Sequence, residues 1–180
     1  MTAFSFSPSP GARRLLYLGL GLLIVILDQI TKSIVAARIP LHTTIPIING
    51  FFDLTYVRNA GAAFGIFGGM DVSWRGAFLT LVAVAVFCGV LVYALRTPPE
   101  LTSLQVALSL ILGGAIGNLI DRLRFQSVTD FLRFYIGAHE WPSFNVADSA
   151  ITVGVILLAW DIWRRPNEGS AEASDRPAAA

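Results

Sequence analysis

The sequence predicts an all-α membrane protein with four transmembrane helices, and three observations predict it. Only 14% of the 180 residues are charged and mean hydropathy is +0.65, whereas a soluble domain carries about 25% charged residues. Four apolar segments each approach the roughly 20 residues that a spanning helix needs. The polar residues are also unevenly spread. Asn118, Asp121, Arg122, Asp130, Asn145 and Asp148 gather in Gly117–Ser149, a stretch that begins and ends inside apolar segments. Ionisable groups at a membrane boundary are costly, so they mark function by default.

The net charge of +1 gives no reason to expect nucleic acid or a strongly acidic partner. One cysteine, Cys88, excludes an intramolecular disulfide and a cysteine metal cluster. It lies in an apolar run and reads as a packed or lipid-facing side chain. His42 and His139 do not sit at metal-ligand spacing, so neither a metal nor a cofactor is expected.

Met1–Gly11 is Ser/Pro-rich and reads as a loose leader. Arg13 and Arg14 then precede the apolar run Leu15–Leu27. This pattern resembles a signal peptide, with Val35-Ala36-Ala37 as a cleavage site. The run continues past Asp28 and Lys32, however, and more spans follow, so residues 15–37 read as an uncleaved first helix. Asp28 and Lys32 are four apart, acid first, and share one helix face. They read as a structural ion pair near the helix end, with Lys32 snorkelling to the interface. The alternative is a role in orienting a site.

Residues 38–73 form a long connection punctuated by Pro40, Pro46, Asn49 and Gly50. Within it, Phe51–Val57 is aromatic and β-branched and reads as a strand. Gly61–Phe67 reads as a short interfacial helix or flap, or as a linker dipping its Phe side chains into lipid. Residues 74–95 form a second span. Arg96–Glu100 is a tight turn, and 101–120 a third span. Gly113, Gly114, Ala115 and Gly117 near its end let helices approach closely. Residues 121–143 form a second long connection, in which Ser127–Tyr135 alternates like a strand. The fourth span, 144–163, has Trp141, Trp160 and Trp163 near its ends. Residues 1–165 thus make one membrane-embedded domain, and 166–180 a disordered polar tail.

Four spans put both termini on one side and both long connections on the other. A bare arginine count does not orient the chain. The first helix usually dominates, and Arg13-Arg14 place the termini in the cytoplasm.

Two aspartates that approach each other are the minimal kit of an aspartic protease, because at about 3 Å they share one proton. Asp130 and Asp148 flank a short loop and are the candidates. Spacing leaves another reading open: Asp130 can pair with Arg122 or Arg133, and Asp148 can cap its helix near Ser149.

Several blocks resemble the lipoprotein signal peptidases (signal peptidase II). They are Asn118-Leu-Ile-Asp121-Arg122, Val128-Thr129-Asp130-Phe131 and Phe144-Asn145-Val146-Ala147-Asp148-Ser149. Upstream, Asp28-Gln-Ile-Thr-Lys32 and Val57-Arg58-Asn59-Ala60-Gly61-Ala62-Ala63-Phe64-Gly65 match two further blocks. The resemblance covers about Leu15 to Trp163. It implies a bacterial inner-membrane aspartic endopeptidase that cleaves prolipoproteins just before a diacylglyceryl-modified cysteine. Asp130 and Asp148 would be the catalytic pair. Asn59, Asn118, Arg122 and Asn145 would bind substrate or support the dyad. Asp28, Lys32, Gly61 and Asp121 would lend structural support. The resemblance further implies a small extracytoplasmic β-sheet cradle, a mobile short helix over the site, an active site near the periplasmic face and inhibition by globomycin. Membrane lipids are expected partners, and four spans can enclose the site in a monomer.

Two other classes compete. A proton-coupled transporter would use Asp28, Asp130 and Asp148 as a relay. No ionisable residue lies mid-span in the second or third helix, and no inverted repeat is visible. A non-catalytic scaffold would not need these carboxylates and amides together.

Overall fold

The computed structural model describes residues 8–61, 72–100 and 102–164. The elements, in order, are α1 (Pro10–Arg38), β1 (Thr44–Ile48), β2 (Phe52–Asn59), α2 (Val72–Arg96), α3 (Thr102–Phe125), β3 (Val128–Ile136), β4 (His139–Glu140) and α4 (Val146–Arg164). All four helices contain segments long and apolar enough to cross a membrane. The tail expected at 166–180 and the flap expected at Gly61–Phe67, beyond Gly61 itself, lie outside the described residues.

Local chemistry sets the helix ends. Ser9 caps α1, its hydroxyl accepting from Ala12 N, and Pro10 occupies the first turn where no N–H is needed. The helix therefore starts five residues before the expected Leu15. At its far end Ile39 turns extended, as a residue before proline must. The third helix also overruns expectation. Asp121–Phe125 belongs to α3 and not to the connection, so Asp121 and Arg122 stand on a helix. Arg122 and Arg124 fall in the last turn, where cations complement the helix dipole. Gln126, at φ 55°, stops the helix, its N–H donating to Arg122 O.

The central helix is α3, which packs on α1, α2 and α4 and buries Leu104, Ala107, Leu108 and Ile111. The outward faces of the other three stay apolar, as lipid requires; Leu81 is 68% exposed and Ile156 62%. Lipid removes most of the hydrophobic drive for helix association, so close packing must hold the bundle. The small residues provide it. A Cβ at Gly113 would lie 2.6 Å from Gly21 O of α1, and one at Gly154 would lie 2.8 Å from Ala107 O. A Cβ at Gly114 would strike the Ala147 carbonyl oxygen of α4.

A four-stranded antiparallel sheet, in the order β1-β2-β3-β4, sits at the end of the bundle where α1 and α3 finish and α4 begins. The two expected strands are present as β2 and β3, paired through Val57↔Asp130 and Asn59↔Val128. Edge strand β1 contains Pro46, which an edge tolerates. Val35, Ile39, Tyr56 and Phe131 form the small core that joins the sheet to α1. Phe144 exchanges backbone bonds with Leu132, and this bridge sets the start of α4 beside β3.

Gly114→Ala is expected to destabilise the bundle by about 1–3 kcal/mol through overpacking against α4 backbone. Gly89→Ala, where nothing lies within 4 Å of the new methyl, should be neutral or slightly stabilising. Melting both variants in one detergent tests this; equal melting temperatures would refute the packing argument.

Candidate active site

Ten residues were expected at the site, and the network begins with Asp28 and Lys32 of α1. Lys32 Nζ lies 2.8 Å from Asp28 Oδ2 and 3.4 Å from Asp121 Oδ2. The expected snorkelling of Lys32 does not occur. Its side chain is only 4% exposed, because two carboxylates and an amide oxygen offer it more than the interface does. Asp28 is fully buried and also accepts from Gln29 Nε2 and from Ala147 N at the start of α4. Gly117 permits this, since a Cβ there would lie 2.6 Å from Asp28 Oδ2. Asp121 completes the cluster, accepting from Gln29 Nε2 and Thr129 N.

Two asparagines, Asn118 and Asn145, connect this cluster to Asp130 and Asp148, and a third, Asn59, holds Asp130 from β2. Asn118 Oδ1 accepts from Lys32 Nζ at 3.0 Å, and its Nδ2 donates to Asp148 Oδ1 at 2.7 Å. An ammonium can only donate, so the amide cannot face the other way. Asn145 Oδ1 accepts from Asp148 N, and its Nδ2 donates to Asp130 Oδ1 at 2.8 Å. Asn59 Oδ1 accepts from Gly61 N, and its Nδ2 donates to Asp130 Oδ2 at 3.0 Å. Gly61 has φ +82°, and a Cβ would collide with Leu79, so the position requires glycine.

Asn145 also caps α4. Its backbone N–H donates to Asp148 Oδ2 while its side chain accepts from Asp148 N. This is a capping box with Asn and Asp in place of Ser and Glu. Asp148 therefore caps its helix, and its other oxygen still faces Asn118. Asp130 does not pair with Arg133, which is held at 2.7 Å by Glu140 and lies 3.8 Å from Asp53.

Asp130 is 2% exposed. Burial pushes its pKa up to about 7; the bond from Asn59 opposes the rise, and the negative charge of Asp148 adds to it. Arg122 is half-buried and feels Asp148, Asp130 and Asp121, although it makes no ion pair within 4.0 Å among the described residues. It lines a cavity of about 400 Å³ with Gly76, Thr80, Leu81 and Val84 of α2. The structure thus brings together Asp28, Lys32, Asn59, Gly61, Asn118, Asp121, Asp130, Asn145 and Asp148, with Arg122 alongside. Sequence reading missed Gln29 and the N–H groups of Thr129 and Ala147. Gln29 stands inside the block that carries Asp28 and Lys32, which is the one signal that could have found it.

The sequence profile of the family described as Signal peptidase (SPase) II matches residues 20–164. The chain belongs to the signal peptidase II family. The lipoprotein signal peptidase of Syntrophus aciditrophicus (strain SB) is 44% identical over 148 residues, spanning 82% of this chain and 92% of that one. That of Geobacter sulfurreducens is 48% identical over 141 residues, 78% and 86% of the two chains. A bacterial membrane enzyme solved by the in meso method superposes with a TM-score of 0.73 at 32% identity, covering 84% of this chain and 94% of that one. This member of the signal peptidase II family is thus a peptidase with four membrane-spanning helices.

Lys32→Met leaves two buried carboxylates without their cation and is expected to cost about 3–5 kcal/mol of stability. The loss should shrink when Asp28→Asn is added. Thermal melts of the single and double variants measure the coupling, and strict additivity would remove Lys32 from the network.

Proposed function

We propose that the chain is an aspartic endopeptidase that cleaves diacylglyceryl-modified prolipoproteins just before the lipidated cysteine. One observation carries this reading: a single asparagine, Asn145, binds both Asp130 and Asp148; burial, which pushes the Asp130 pKa up to about 7, agrees with it. A carboxyl group that keeps its proton near neutral pH beside a second carboxylate supplies an acid and a base together.

In this mechanism Asp148 takes a proton from water as the oxygen attacks the scissile carbonyl carbon. Asp130 gives its proton to the carbonyl oxygen, forming a neutral gem-diol. Asp148 then protonates the departing amine nitrogen, the C–N bond breaks, and Asp130 recovers its proton from the diol. Both aspartates return to their starting states with one water consumed. Asn118 and Asn145 hold Asp148 for its role, and Asn59 and Asn145 hold Asp130. Arg122 is suited to a substrate carbonyl, and the cavity beside it to an acyl chain. The sheet offers an edge for the extended substrate segment. The termini face the cytoplasm of a bacterial inner membrane, and the dyad faces the periplasm; Arg13-Arg14 before α1 support this orientation. Such a monomer needs no metal or cofactor for peptide hydrolysis by this route. Globomycin-type inhibitors would compete at the same dyad.

A gel-shift assay with diacylglyceryl-modified prolipoprotein tests the proposal. Asp130→Asn and Asp148→Asn should each lose about 10²–10⁴ in rate while still binding substrate, and unlipidated substrate should be cut poorly. Cleavage that survives both substitutions would sink the dyad.

The pH dependence follows from Asp130. Its folded pKa of about 7 exceeds the unfolded value of 3.8, so the folded state binds the proton more tightly. Stability is therefore full below about pH 4 and declines as pH rises through 7. Cleavage should also slow above about pH 7 as the acid is lost. Asp130→Asn should flatten this part of the stability profile; an unchanged slope would assign it to other groups.

A further inference from the structure

A groove of about 360 Å³ between α1 and α2 opens at the end of the bundle remote from the dyad, at Arg14 and Leu95, and runs inward as far as Val25 and Ile116. These two helices each pack on α3 and hardly on one another, so α3 forms the floor. Leu18 and Leu22 of α1, Phe87 and Leu91 of α2, and Leu112 and Ile116 of α3 make the lining apolar. The polar hydrogens on the floor are already committed. Gln105 Nε2 donates to Ala94 O and Thr97 O at 3.2 and 2.8 Å, and the Ser109 hydroxyl donates to Gln105 O at 2.7 Å. The interior therefore suits hydrocarbon and asks for no polar ligand.

The mouth has a different chemistry. Arg14 lines it and is exposed. Among the described residues its guanidinium makes one bond, Nη1 to Leu95 O, stretched to 3.5 Å. A guanidinium has five N–H donors, so most remain for another acceptor. Tyr17 stands beside it, its hydroxyl on Pro99 O at 3.1 Å. Arg96 ends α2 at the same level.

We propose that this groove binds an anionic phospholipid, with one acyl chain between α1 and α2 and the phosphate on Arg14. The volume lies within the roughly 300–1,000 Å³ of ordinary ligand sites. Charge chooses the occupant. The other apolar segment at hand is a substrate's signal peptide, and the amino-terminal end of a signal peptide is positive. It would meet Arg14 and Arg96 with like charge, whereas an anionic headgroup meets them with opposite charge. The bound chain fills the space that α1 and α2 leave between them. Binding to the folded state alone makes stability rise with lipid concentration.

The test uses the purified full chain in detergent, titrated with phosphatidylglycerol or with phosphatidylcholine of the same acyl chains. Native mass spectrometry reads retention, and thermal melting reads the stability gain. Wild type should retain one phosphatidylglycerol in preference to phosphatidylcholine and melt higher with it. Arg14→Gln should lower phosphatidylglycerol retention about fivefold, the effect of one basic residue near an anionic surface, and lower that of phosphatidylcholine less, because its choline cation offsets the phosphate charge. Ala94→Phe should block the groove and abolish retention of both. Leu22→Trp, from the facing wall, gives a second blocking variant if circular dichroism shows that Ala94→Phe does not fold. Equal retention of the two lipids by wild type, or no change in Arg14→Gln, overturns the proposal. So does a photocrosslinker at Leu91 that captures an unlipidated signal peptide which phosphatidylglycerol does not displace. None of these readouts depends on peptide cleavage, so failure here is distinguishable from failure of the dyad.

Discussion

The polarity of the site is set by donors that cannot accept, and a buried ammonium is the first of them. Lys32 Nζ can only donate, and it donates to the Asn118 oxygen. The Asn118 NH₂ group is thereby turned onto Asp148. The same logic recurs twice. Asp148 N fixes the oxygen of Asn145, and Gly61 N fixes that of Asn59. Each asparagine could in isolation offer a carboxylate either its oxygen or its nitrogen. Here every oxygen already has an obligate donor, so every nitrogen faces an acid. Flipping any one amide would set donor against donor and strand a buried acceptor. The carboxylates are held by donors fixed in the protein, which is what a preorganised site requires.

That arrangement is held against a cost. Asp130 would be ionised at neutral pH in water, and burial keeps it half-protonated at about pH 7. In the proposed mechanism, the burial that destabilises the folded chain also supplies the acid. Two amides, from Asn59 and Asn145, limit the penalty without cancelling it. Close packing of the helices tolerates the remainder. The glycines of α3 bring α1 and α4 near enough for Asp28 and Ala147 to meet across Gly117.

The sequence was most legible where a single segment decides the outcome. Each span showed as an apolar run of adequate length, and β2 and β3 showed through aromatic and β-branched residues. The end of α3 was not legible, because Asp121 and Arg122 look like loop residues until the partners of Asp121, Lys32 and Thr129, are known. Strand β1 was hidden for another reason: all five of its residues are exposed, so burial imposes no alternation on them, and Pro46 argues against a strand. At the site, Asp130 and Asp148 could be singled out by their position flanking a loop. The direction of Lys32 could not. Spacing within one helix revealed its bond to Asp28, but Asn118 lies 86 residues further on. Contacts of that kind are made by packing, and a single sequence records packing only weakly. The reciprocal cap Asn145-x-x-Asp148 is the exception. Its spacing is readable, and it explains how one residue both starts a helix and faces the site.

The helix ends explain why the network forms at this place and not at mid-membrane. The first N–H groups of α4 lack partners within the helix, and α4 begins at the site. Asp28, from a different helix, accepts one of them at Ala147, and the Asn145 side chain accepts another at Asp148. The positive end of the helix dipole favours Asp28 and Asp148 together. Arg122 and Arg124 stand at the opposite pole, the end of α3. Moving the same carboxylates one or two turns into α4 would strip them of these donors, since interior N–H groups are already bonded. Asp148 thus occupies a position where a helix has hydrogen bonds to give. Because its neighbour Ala147 is tied to Asp28, sliding α4 against α1 would break the cap and displace the carboxylate together.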